Sequence, residues 1–203
     1  MTDSGTHGIE DLADLLQRER GLLEKLRYRF VALELLIDAR EVRFLAWALN
    51  DLNRARLHLR EMDLARAARV ASLRLPGADD VPSLREVATA ADAPWAGILR
   101  DHHDSLCTVV TEIETHSHRI AQQCHEGLGE LARTGTLAPL PCRTAAMSSV
   151  GPSGPGGIEV GPSGLRAPGQ AEDLDAMSIE CLLSDVIANA GRLRMPALLA
   201  FLR

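Results

Sequence analysis

Histidine and cysteine are the side chains best suited to hold a metal or act as nucleophiles, and in this chain most of them fall between positions 102 and 125. His103 and Cys107 stand four apart, and His116, His118 and Cys124 follow along the same stretch. Zinc asks for three or four ligands that converge in tetrahedral geometry. On a helix His116 and His118 point to different faces, and no second ligand cluster lies near in sequence, so these histidines read as seam or solvated side chains. His102-His103-Asp104 fails as a catalytic set for the same reason, because adjacent helical residues diverge and no strand-turn-helix elbow presents a nucleophile. Glu112 with His116, and Glu114 with His118, are ordinary i,i+4 helix pairs. A phosphate-cradling loop needs glycines between a strand and a helix, and the glycines here gather in a Pro/Ser tract. The sequence therefore offers no catalytic residue, no metal ligand and no cofactor site. The expectation is a protein that is not an enzyme.

Composition narrows the remaining classes. Of 203 residues 46% are hydrophobic and 25% charged, enough apolar mass for a core and too much for global disorder. Aromatic residues are only 3%, whereas sheets lean on aromatic and β-branched side chains, so an all-β fold is disfavoured. The apolar mass is Leu and Ala, both good helix formers. A formal net charge of −6 argues against a nucleic-acid binder, whose affinity comes from a surplus of cations. The polar start Met1–Gly8 lacks the basic-then-apolar pattern of a signal peptide, and no apolar run approaches the roughly 20 residues of a membrane span. The four cysteines form no CxxC pair and read as reduced thiols, so a cytoplasmic location without membrane insertion is expected.

Apolar periodicity then predicts the elements. Ile9, Leu12, Leu16, Glu19, Leu23, Leu26, Phe30, Leu33 and Ile37 recur at alternating spacings of three and four, the seam of a coiled coil. Asp38 followed by Glu41 suggests a capping box opening a second helix from about Ala39 to Leu75. Its seam runs through Val42, Leu45, Leu49, Leu52, Arg56, Leu59, Asp63, Arg66, Val70 and Leu73, and so short a connection makes the two helices antiparallel. Matching heights across that hairpin sets Glu19 opposite Arg60, one turn from Arg56, which suggests an interhelical ion pair fixing register. Ser83-Leu84-Arg85-Glu86 is a second capping-box sequence. A third long helix is predicted from about Pro94 to Arg133, with a seam of Trp95, Leu99, His102, Leu106, Val109, Ile113, His116, Ile120, Gln123 and Gly127.

The composition changes after Gly135. Val150-Gly151-Pro152-Ser153-Gly154 recurs as Val160-Gly161-Pro162-Ser163-Gly164 in a tract that reads as a flexible linker. An apolar helical pattern returns with Ile179, Leu182, Leu183, Val186, Ile187, Ala190 and Leu193, and Pro196 interrupts it before Ala197–Arg203. The expected organisation is all-α. Residues 1–8 form a disordered N-terminus, 9–134 a three-helix coiled-coil body, 135–171 a disordered Gly/Pro/Ser linker, and 172–203 a C-terminal amphipathic helical segment.

Several short patterns occur in a telling order. Leu15-Leu16-Gln17-Arg18-Glu19 is followed by Leu22-Leu23, then by the break at Asp38, the basic seam residue Arg56, Pro82-Ser83-Leu84-Arg85-Glu86, and the ending Met195-Pro196-Ala197-Leu198-Leu199-Ala200-Phe201-Leu202-Arg203. This arrangement resembles the FlgN family of flagellar type III export chaperones, the ending being similar to that of actinobacterial members. The resemblance implies a cytoplasmic chaperone, free of ATPase activity, that binds the C-terminal helices of the hook–filament junction proteins (FlgK/FlgL-like). It further implies the flagellar export gate as a partner, and a monomer or weak homodimer. An exposed amphipathic groove takes a partner helix at i, i+3, i+4, i+7 spacing. The residues expected to bind the client are Val109, Ile113 and Ile120 on the third helix and Leu183, Val186, Ile187, Leu198, Leu199 and Phe201 on the terminal segment. The alternative is a structural coiled coil that self-associates through the same seams and has no client.

Overall fold

The computed structural model describes residues 3–73, 82–135, 176–191 and 195–203. Within them all regular structure is helical: α1 (Asp3–Asp38), a single 3-10 turn (Val42–Phe44), α2 (Leu45–Ser72), α3 (Leu84–Ala90), α4 (Trp95–Thr134), α5 (Ala176–Gly191) and α6 (Pro196–Leu202). The all-α expectation is met. The tract from 136 to 175, which holds nearly all of the expected linker, lies outside the described residues, as do Leu193 and the side chain of Ala190.

The heptad positions of α1 form the centre of the core. Leu12, Leu16, Leu23, Leu26, Phe30 and Leu33 are essentially inaccessible, and Ile9 is nearly so. Each contributes about 1.5–3 kcal/mol by leaving water, so this stripe outweighs any single polar contact in the molecule. On α2 the facing stripe is Leu45, Leu49, Leu52, Ala55, Leu59 and Val70. The two helices run antiparallel. Arg69 near the end of α2 pairs with Asp11 near the start of α1 at 2.6 Å, and Gly8 sits so close to Leu73 that a β-carbon there would lie 2.9 Å from its side chain. That packing helps explain why α1 begins at Asp3, inside the segment expected to be disordered.

The turn between them corrects one reading of the sequence. Asp38 closes α1 and does not cap α2, whose start shows no side-chain cap. Arg40 adopts the left-handed conformation, φ 56°, with its N–H donating to the Ile37 carbonyl while the Glu41 N–H donates to Leu36. This is the Schellman way of satisfying the last helical carbonyls, more often built on glycine. Arg40 is held there by a two-pronged contact with Glu130 of α4, at 3.0 and 2.9 Å. The second capping box forms as expected: the Ser83 hydroxyl accepts from the Glu86 N–H, and the Glu86 carboxylate accepts from the Ser83 N–H at 2.7 Å.

α4 runs parallel to α1, and a polar ladder fixes the offset between them. Arg20 meets Ser105, Arg27 meets Glu112, Glu34 meets Arg119 and Asp38 meets Gln123, every pair separated by the same sequence distance. The first three rungs are seven residues apart on each helix, which is the period of the seam itself. α4 ends at Gly135, whose φ of 71° and N–H bond to Leu131 make a left-handed cap.

Candidate helix-docking site

The third-helix seam contains hydrophobic positions spaced to receive a helix, and the structure shows what lies on them. Val109, Ile113 and Ile120 are buried, together with Leu99, Leu106 and Cys124 on the same stripe of α4. α5 packs against this helix, and α6 continues toward its beginning. Leu183 lines a cavity of about 330 Å³ with Gln123 and Gly127, near the far end of α4. At the other end the carbonyl of Leu202 lies 2.9 Å from Nε2 of His103. The terminal segment therefore runs antiparallel to α4 over some five turns.

All nine residues singled out for client binding fall in one core. Leu183, Val186, Leu198 and Phe201 are buried, and Ile187 and Leu199 pack partly buried against the same cluster. The expectation of an exposed groove is thereby corrected. The stripe on α4 lies inside the chain's own core, between α1 and α5, because amphipathic helices within the same chain meet it before any outside helix can.

Polar contacts anchor this segment. Arg56 Nη1 donates to Oδ1 of Asn189 on α5 at 3.1 Å and to Oδ1 of Asn53 at 3.3 Å. The guanidinium of Arg66 lies over the Phe201 ring, 5.1 Å from its centroid, a cation–π contact between α2 and α6. His103 Nε2 faces the Leu202 carbonyl, and its Nδ1 lies 2.9 Å from the Asp104 carboxylate. The sequence reading had set His102 in the seam. The structure buries His103 and leaves its neighbour half-buried.

The register pair also needs correction. Glu19 is fully buried and bonded to Arg66, not to Arg60 or Arg56. Arg60 is exposed. Side chains on a helix lean toward its N-terminus, and in an antiparallel pair those directions oppose. Glu19 and Arg66 each reach back about one turn and meet between their α-carbons, whereas matching α-carbon heights picks out Arg60. Asp63 completes the group, accepting from Arg66 Nη2 at 2.5 Å. Burial dominates the electrostatics here. It lowers the Arg66 guanidinium to about 10, still cationic at neutral pH, and raises the Asp63 carboxyl. Glu19 Oε2 is buried and accepts no hydrogen bond among the described residues.

Burial pushes the Cys124 thiol up to about 12, and it raises Cys107 as well, with Asp104 adding to the shift, so neither is a ready nucleophile. Among the described residues, no three of His, Cys, Asp and Glu gather as metal ligands would. Within the same residues no helix is long and apolar enough to cross a membrane. No family model, no curated protein and no solved structure matches the chain.

Proposed function

We propose that this protein is a flagellar export chaperone of the FlgN type, acting in the cytoplasm on the C-terminal helices of hook–filament junction proteins. The observation that carries the reading is that a helix of the terminal segment, α5, is packed on α4. Val109, Ile113 and Ile120 belong to a core that α5 completes against α4, and α5 follows the body in sequence after residues 136–175. A client helix with apolar residues at i, i+3, i+4 and i+7 presents the same chemistry as α5. The order of sequence patterns from Leu15 to Phe201 supports the same family. The seams of α1 and α2 face each other within one chain, which leaves the self-associating coiled coil without a free seam among the described residues.

The test is calorimetric titration of the full chain with the C-terminal helical region of a hook–filament junction protein from the same organism. Saturable one-to-one binding is expected, accompanied by faster hydrogen exchange in α5 and α6 as they leave α4. Replacing Leu198, Leu199 and Phe201 by Ala should alter the affinity without loss of helix content in α1, α2 and α4. Absence of binding by the wild-type chain would sink the proposal.

A further inference from the structure

The outer side of the α1–α2 hairpin carries a groove whose two ends the structure fixes. At one end is a depression of about 330 Å³ bounded by Lys25, Tyr28, Arg29 and Ala32 of α1 and by Ala48 and Asp51 of α2. At the other, Asp11 and Arg69 bridge the two helices at 2.6 Å. Asp11 stands three heptads before Ala32 and Arg69 three heptads after Ala48, so one flank of each helix lines everything between. Steps of seven along those flanks put Leu22 and Leu15 in line with Arg29, and Ala55 and Met62 in line with Ala48. Leu15, Leu22 and Met62 are half-buried and Ala55 is buried, so the floor is apolar along its length. α4 meets the opposite flank of α1 through Arg20, Arg27 and Glu34, and α5 reaches α2 through Arg56, so neither covers this floor. Tyr28, 72% exposed, lines the depression, and Trp47, 65% exposed, adjoins Ala48.

We infer that this groove docks an acidic amphipathic helix of another protein, about 20 residues long. Charge selects the occupant. Arg18, Lys25 and Arg29 stand on the α1 wall, and none of them has an ion-pair partner among the described residues. On the α2 wall Asp51 is the one carboxylate, His58 follows a heptad later, and Arg69 is engaged by Asp11. The groove is thus a cationic strip on a chain whose formal net charge is −6. Such a strip draws in a negatively charged partner and fixes its orientation. A second copy would bring the same cations against themselves, which like-charge repulsion disfavours. A bilayer is flat and leaves the floor of a groove unfilled, whereas a helix fills it. Three heptads of α-helix span about 30 Å, the distance from Ala32 to Asp11 along α1. Apolar residues of the partner at i, i+3, i+4 and i+7 lie on the Leu15–Leu22 and Ala55–Met62 floor, and its carboxylates on one flank meet the α1 cations. Tyr28 and Trp47 close over the end of the docked helix with apolar rings and polar edges. One helix in one groove makes a small interface, so the complex is a transient one, with a dissociation constant of about 1–100 µM at low salt. This contact is separate from the client position argued for α4, and neither depends on the other.

Fluorescence anisotropy of a labelled designed peptide, titrated with the full chain, tests the inference. The peptide has three heptads with Leu at the two seam positions and Glu at the flanking ones, and its counterpart carries Lys in place of each Glu. Saturable binding of the Glu peptide and none of the Lys peptide is expected. Arg18→Glu combined with Lys25→Glu alters two exposed side chains and should weaken binding at least about tenfold, while Asp51→Lys should tighten it. Alanine at Leu198, Leu199 and Phe201 should leave this binding unchanged, which keeps it apart from the client site. Circular dichroism confirms that each variant remains helical. The same charge reversals are assayed for vesicles of phosphatidylglycerol and phosphatidylcholine and for self-association by sedimentation. Equal binding of the two peptides, or binding of the Glu peptide that the charge reversals leave untouched, would overturn the inference. So would a groove that refuses the Glu peptide, whether anionic vesicles, a second copy or nothing occupies it instead.

Discussion

At the scale of single residues the molecule spends its least favourable contacts on Arg66. A buried ion pair seldom adds net stability, because desolvating both charges offsets their attraction, but breaking one leaves a charge stranded. Arg66→Leu should therefore destabilise the fold by about 3–5 kcal/mol, since Glu19 loses its partner in a dry core. Glu19→Leu combined with Arg66→Leu should recover most of that loss, because Asp63 is close enough to the surface to regain water. Urea unfolding of the two single variants and the double variant measures the coupling. Glu34 gives a pH prediction. Burial raises its carboxyl, but hydrogen bonds and charge from His116 and Arg119 outweigh burial and leave it below its ordinary value of 4.5. A group depressed in the folded state contributes stability above its unfolded value and loses it as the pH falls through the folded one. Unfolding free energy should accordingly drop below about pH 4.5, and Glu34→Gln should flatten that drop relative to its own value at pH 6. Denaturant titrations from pH 3 to 6 would check it.

Among the elements, the ladder between α1 and α4 sets the register that the apolar seam leaves open. Leucines spaced by heptads pack nearly as well after a slip of seven residues, and charges do not. A forward slip would set Arg27 against Arg119, and a backward one would set Glu34 against Glu112. Arg27 and Glu112 are each about two-fifths exposed, so their pair is worth at most about 1 kcal/mol after solvent screening. Arg27→Glu should cost roughly that much, and adding Glu112→Arg should restore it, as thermal melts of the three variants would show. The ladder was legible in principle, since Arg20, Arg27 and Glu34 repeat at sevens and so do Ser105, Glu112 and Arg119. It was missed because seam reading follows apolar positions and says nothing about parallel partners distant in sequence. The seams themselves were plain: every apolar position assigned to α1 is buried or packed against the core. The α1–α2 turn was not, because an arginine occupies the left-handed position where glycine usually marks a helix end. Nor could the sequence show that Leu183 and Phe201 are covered, since the same amphipathic pattern suits a helix docked at home and one reserved for a partner.

For the molecule as a whole, α1, α2 and α4 form a body to which α5 and α6 are added from outside. α5 rests mainly on α4, with a smaller contact to α2, and α6 packs against α3. Regions with few neighbours open at lower free energy than the global fold. Hydrogen exchange should protect α1 and the middle of α4 most, and should release α6 first. If the two parts bind through these surfaces alone, residues 1–135 and 172–203 produced as separate chains should associate, and Phe201→Ala in the shorter one should weaken that association. Co-purification followed by calorimetry would show it.

Covalent attachment gives the α5–α6 segment an advantage that no single contact measures. As part of the same chain it meets α4 at an effective concentration of the order of a millimolar. An outside helix present at about 1 µM must then hold α4 roughly a thousandfold more tightly, about 4 kcal/mol, to occupy the stripe half the time. The advantage also works in reverse. Once such a helix departs, the stripe is covered again at the rate of an intramolecular closure, without waiting for a second collision.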